Sequence, residues 1–143
     1  MKNLLTIVAT MLLAASAAAA SPLQLSGEFR YQPSSLEGEQ ICFYPDPAGQ
    51  QSILRAIKMS ADQYGHDVWF CFNDTEEAAK LLGVSLKLAP TVCGFEGRAS
   101  VSVSGYLPNL EEGDAVDLAS LDAVGSVTGV KAIAECEEDP FAP

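Results

Sequence analysis

Asp67-Val68-Trp69-Phe70-Cys71-Phe72-Asn73-Asp74-Thr75-Glu76-Glu77-Ala78-Ala79-Lys80-Leu81-Leu82-Gly83 changes period halfway along. Asp67 to Phe72 reads as a strand, because Val68, Trp69, Phe70, Cys71 and Phe72 all fit a pleated, half-buried surface. Asn73 to Gly83 reads as a short helix with both ends marked. Asp74 is placed to cap it, with Glu77 at the third helical position, and Gly83 supplies the stop. The early acids Glu76 and Glu77 suit the positive end of the helix dipole. Asn73-Asp74-Thr75 also matches a glycosylation sequon, which has meaning only in a eukaryotic secretory host.

Working outward, Gly97 to Leu107 is the clearest strand. Ala99, Val101, Val103 and Gly105 face one way, while Ser100, Ser102, Ser104 and Tyr106 face the other, as in a half-buried antiparallel strand. Pro108 to Gly113 is an acidic turn. Asp114 to Val124 follows with Val116 and Leu118 as its apolar face, and Gly125 to Ala134 is a tail strand or loop. Towards the N-terminus, Gly27 to Tyr31 alternates as a first strand, Pro33 to Gly38 is a turn, and Glu39 to Tyr44 is a second strand stopped by Pro45-Asp46-Pro47. Gln50 to Met59 fits either a helical turn or an irregular strand.

Three strands, one short helix and two further strands make the order of an OB-fold: an all-β, five-stranded barrel with its helix between strands 3 and 4. The stretch from Trp69-Phe70-Cys71-Phe72 through Leu81-Leu82-Gly83 to Gly97-Arg98-Ala99-Ser100-Val101-Ser102-Val103-Ser104-Gly105-Tyr106 resembles small exported bacterial OB-fold proteins of the tRNA-anti-like group. Their V-x-V-x-G-x strand likewise follows the helix. The resemblance spans roughly residues 27 to 125 and rests on strand texture and one glycine. It implies a fold and transfers no functional residue.

The chain has 143 residues with a formal charge of −11, is 48% hydrophobic and 19% charged, and so is sized for one globular domain. Met1-Lys2-Asn3, the apolar run Leu4 to Leu13 and the small residues Ala14 to Ala20 form the pattern of a cleaved secretory leader. The expected organisation is a signal peptide over 1–20 and a single domain over 21–143 with an acidic end, Glu135-Cys136-Glu137-Glu138-Asp139. Loss of Lys2 with the leader makes the mature chain one unit more negative still. No later stretch is apolar enough to span a bilayer. The expected location is periplasmic or secreted, with no membrane insertion after leader cleavage.

Cys42, Cys71, Cys93 and Cys136 all follow the leader. Four cysteines in a small exported chain point to two disulfides. Their spacings lack the close pairs of a zinc site, and the chain holds one histidine. Three connectivities are open. Taking Ile41, Phe43, Phe70 and Phe72 as the interior set places Cys42, Tyr44, Trp69 and Cys71 on the outer face of strands 2 and 3. That placement lets Cys42 bridge to Cys71 and leaves Cys93 with Cys136, only slightly ahead of the other pairings. A one-residue slip would exchange the two sets, and Gln50 to Met59 could instead cover the outward aromatics.

No catalytic constellation stands out. His66 is the single histidine, and its neighbour Asp67 would point to the opposite side of an extended chain. The carboxylate pairs Glu76-Glu77, Glu111-Glu112 and Asp114-Asp117 read as solvated acids. Glu111-Glu112-Gly113-Asp114-x-x-Asp117 lacks the alternating spacing of a calcium loop. There is no glycine-rich phosphate loop. The expectation is therefore no enzyme, no catalytic residue, no metal and no cofactor. Scattered cations and excess acid also exclude a nucleic-acid partner. A strongly acidic surface favours a cationic envelope or secreted protein, in the manner of an inhibitor or adaptor. The alternative is a glycan or small ligand held on Tyr44 and Trp69, since OB-folds bind on that face.

Overall fold

The computed structural model describes residues 21–33, 39–111 and 116–136. The leader assigned to 1–20 lies outside them, as do 34–38, 112–115 and 137–143, which include the acidic end beyond Cys136. Five strands run in chain order: β1 (Leu23–Tyr31), β2 (Ile41–Pro45), β3 (Phe70–Phe72), β4 (Gly94–Leu107) and β5 (Asp117–Ile133). They close in a ring of order β1-β2-β3-β5-β4, with β4 returning to β1. All pairings are antiparallel except β3 with β5.

Helix placement corrects the one-helix expectation. Among the described residues there are three helices: α1 (Pro47–Ala56) and α2 (Ala61–Tyr64) between β2 and β3, and α3 (Thr75–Leu82) between β3 and β4. The ambiguous Gln50–Met59 segment thus contains most of α1, whose Ile53 and Leu54 are buried. The Pro45-Asp46-Pro47 stop explains the switch, since a proline at the first helical position is preset for a helix. α3 follows its sequence signals: Asp74 accepts from the Glu77 amide at 2.9 Å, and Gly83 closes the helix in the left-handed region.

Strand limits also moved. Asp67 to Trp69 stay outside the ladder, so β3 has only three residues. Of the two segments expected over Asp114–Val124 and Gly125–Ala134, residues Asp117–Ile133 form a single strand of 17 residues. Four register irregularities against β4 bend it around the ring. Ala99, Val101 and Val103 face the core as expected. Gly105 does not, because its φ of 60° turns the chain out of alternation. Tyr106 then packs edge-on against Phe70, at 5.5 Å between rings.

The core follows the interior set read from the sequence. Ile41, Phe43, Phe70 and Phe72 are fully buried, joined by Phe29, Ile53 and Val103. Burying each such side chain contributes about 1.5–3 kcal/mol. Backbones meet closely at two glycines. A Cβ on Gly94 would collide with the Tyr31 carbonyl, and one on Gly27 with the Tyr44 carbonyl. Both seal β1 against its neighbours.

Candidate functional site

The strand registers sort the outward residues of the sheet into two cross-strand rows. One row runs Thr128, Arg98, Glu28, Tyr44 across β5, β4, β1 and β2. Trp69 extends it, stacked on Tyr44 with ring centroids 5.6 Å apart and planes 18° from parallel. The second row runs Lys131, Glu96, Arg30, Cys42, Cys71 across all five strands. At a strand spacing of about 4.8 Å, each row extends roughly 19 Å.

The two residues singled out in the sequence, Tyr44 and Trp69, are therefore together on one face, both half-buried. The other two outward residues differ from expectation. Cys42 and Cys71 are 1% and 0% exposed, and they form one of the two disulfides. The second joins Cys93 to Cys136. The connectivity is the one that strand parity favoured. In-register pairing of Cys42 with Cys71 sets their neighbours Tyr44 and Trp69 facing each other one step further along.

Charges fill the rest of the face. Glu96 accepts from Lys131 at 2.9 Å and from Arg30 at 3.2 Å. The Lys131 hydrogen bond, joined by Arg30, holds the Glu96 carboxyl below its ordinary range against the opposing effect of partial burial. Arg98 donates from one guanidinium nitrogen, Nη2, to both Asp46 carboxylate oxygens at 2.7 and 2.9 Å, and from Nη1 to Glu28 at 3.4 Å. This pairing also explains why Asp46, at the N-cap of α1, makes no capping hydrogen bond with its side chain. Such exposed pairs are screened by solvent and add little stability. What they do is hold three carboxylates and three cations in fixed alternation beside the aromatic pair.

Among the described residues Glu96 lines three open clefts along this face. The first, of about 180 Å³, lies between Tyr44 and the Glu28–Arg30 segment. The second, of about 240 Å³, sits over Gly97 and Gly129, between Arg98 and Lys131. The third, of about 560 Å³, is bounded by Arg30, Gln32, Lys131 and the segment Ala132–Cys136.

The charged ladder escaped the sequence reading. Glu28 and Arg30 sit two apart on β1, and Glu96 and Arg98 two apart on β4, which is the spacing of one strand face. A strand expected to begin at Gly97 leaves Glu96 outside it, and Pro45-Asp46-Pro47 by sequence signals only a strand stop.

The remaining candidates lie elsewhere. His66 is exposed, its ring 4.1 Å from that of Tyr64. Asp117 is not a solvated acid but is 2% exposed. It accepts from the Tyr106 hydroxyl and the Asn109 amide, each at 2.6 Å, and Tyr64 in turn meets the Tyr106 hydroxyl at 3.0 Å. Its oxygens are thereby committed within the protein. Among the described residues no three His, Cys, Asp or Glu side chains stand close enough to share a metal ion. Nor is any described helix long and apolar enough to cross a membrane. No family model matches the chain, and no curated protein or solved structure shows significant similarity to it.

Proposed function

We propose that this chain is an exported, non-enzymatic binding module of the bacterial envelope that holds a glycan on the Tyr44–Trp69 face. The observation that carries the reading is the stacked Tyr44–Trp69 pair abutting the Glu28–Arg98–Asp46 cluster on one open face. A sugar ring presents C–H groups to an aromatic surface and hydroxyls to its rim. Carboxylates and guanidinium groups in alternation offer acceptors and donors to those hydroxyls. The ladder is locally neutral, with three acids against three bases, which suits a polyhydroxylated ligand better than a polyion. Support for an OB-like barrel comes from the ring order, the parallel β3–β5 pair and α3 between β3 and β4. OB-folds bind oligonucleotides and oligosaccharides on strands 2 and 3. Two disulfides accord with an oxidising compartment.

A second reading, a cationic protein partner in the manner of an inhibitor or adaptor, is favoured by one observation, the net charge of −11. It predicts steering by the whole acidic surface rather than contact with one face.

Titration of the oxidised protein separates the two. Trp69 is the single tryptophan, so its emission reports the face directly. A neutral N-acetylated oligosaccharide is expected to shift that emission with little change as the Debye length shortens from about 20 to about 8 Å. Trp69→Ala, followed by calorimetry, is expected to weaken binding about tenfold or more, the equivalent of about 1.4 kcal/mol. Binding of a basic protein that survives Trp69→Ala and disappears with salt, alongside no response to the oligosaccharide, would overturn the glycan reading in favour of the second.

A further inference from the structure

The two disulfides occupy opposite environments. Cys42 and Cys71 are 1% and 0% exposed and tie adjacent strands in register. Cys93 is 8% exposed, but its partner Cys136 is exposed. The sheet also ends just before Cys136. The last ladder contacts are Gly94 opposite Ile133 and the Cys93 amide donating to the Ile133 carbonyl at 2.8 Å. Beyond Ile133 the chain leaves the strand, yet Ala134 to Cys136 form one wall of the third cleft. The disulfide holds that wall in place.

We infer that Cys93–Cys136 is a site of thiol–disulfide exchange with an external dithiol, and that its reduction opens the third cleft while the sheet stays closed. Exchange requires a thiolate to reach a disulfide sulfur, so access decides which bond reacts. Attack on the accessible Cys136 Sγ forms a mixed disulfide and expels the Cys93 thiolate, which takes up a proton. The second thiol of the reagent then displaces Cys136 as its thiol. The protein gains two electrons and two protons, and the dithiol leaves as its own disulfide. Nothing comparable can begin at Cys42 or Cys71 without first parting β2 from β3. The inference stands apart from the glycan reading, because it needs no ligand.

The test uses the native oxidised protein with dithiothreitol, quenched by alkylation at intervals and read by peptide mass spectrometry. Cys93 and Cys136 are expected to label at least a hundredfold faster than Cys42 and Cys71. Hydrogen exchange of the reduced form should rise at residues 132–136 and stay unchanged over 97–107. Cys136→Ser, which cannot form the bond, should reproduce that exchange pattern without reductant. Reduction of both pairs at one rate would overturn the inference. So would exchange that rises throughout β4 and β5, in the reduced protein or in Cys136→Ser, because the clasp would then be part of the fold's general stability.

Discussion

Replacing Cys42 and Cys71 together by alanine is expected to lower the stability of the oxidised protein by about 3–4 kcal/mol. The bond closes a loop of 29 residues, and opening it returns that loop's freedom to the unfolded chain. The loss is a large part of the 5–15 kcal/mol that holds a typical domain folded. Local structure raises the stakes. β3 has three residues, and only Cys71 and Phe70 pair with β2. A strand that short has little ladder of its own to fix its register, and a slip by one residue turns every side chain to the other face. The disulfide pins the register that puts Phe70 and Phe72 inside and Trp69 beside Tyr44. The double variant should therefore also show a red shift of Trp69 emission and loss of its near-ultraviolet dichroism below the midpoint of denaturation. A loss of stability under about 1 kcal/mol with an unchanged Trp69 signal would mean that core packing alone sets the register.

Asp117→Ala is expected to cost about 2 kcal/mol, because it leaves the half-buried Asn109 amide without its acceptor and the Tyr106 hydroxyl with Tyr64 as its remaining partner. Asp117→Asn keeps an acceptor oxygen and should lose less. The pH dependence distinguishes the two roles of this carboxyl. Burial raises its pKa, only partly opposed by the Asn109 hydrogen bond. The groups facing it are Tyr106, itself pushed upward by burial, and Tyr64 beyond. The native state thus binds the Asp117 proton more tightly than the unfolded chain, and protonation favours folding. As pH falls from above the raised native pKa to the unfolded value near 3.9, the wild type should gain stability relative to Asp117→Asn, and hold a constant difference outside that window. Chemical denaturation of both proteins at several pH values measures this directly. A wild type that loses stability relative to Asp117→Asn across that window would show that the ionised form is the one the network stabilises.

What the sequence made legible was whatever local chemistry decides. The alternation of Ala99, Val101 and Val103, the cap at Asp74 with its stop at Gly83, and the aromatic run through Phe70 and Phe72 each specify their element without distant partners. Those signals were enough for a mostly-β chain with α3 between β3 and β4, for the interior set and for two disulfides. The Tyr44–Trp69 pair was also within reach, since face parity on two neighbouring strands follows from period 2.

The rest depended on tertiary partners. α1 carries polar residues over much of its length and becomes a helix by burying Gly49, Ile53 and Leu54. The single long β5 was hidden by its glycines. Gly125 and Gly129 resemble chain breaks in a linear reading, but they sit in the irregular stretch that lets β5 follow the curve of β4. The charged ladder needs the β1–β4 register, which pairs residues about 70 positions apart. By sequence Asp117 is one more solvated acid in the segment after the Pro108–Gly113 turn, and only the packing of Tyr106 and Tyr64 around it takes it out of water.

On the proposed reading, ligand contact belongs to the aromatic Tyr44–Trp69 pair and its charged rim. The most direct measurement is two-dimensional NMR of the oxidised, isotope-labelled protein, titrated with the neutral N-acetylated oligosaccharide. Saturable shifts should concentrate on the Trp69 indole, Tyr44, Glu28 and Arg98, with α3 and its acids Glu76 and Glu77 unmoved. Shifts centred on the acidic surface away from Trp69, or none at millimolar ligand, would contradict the account.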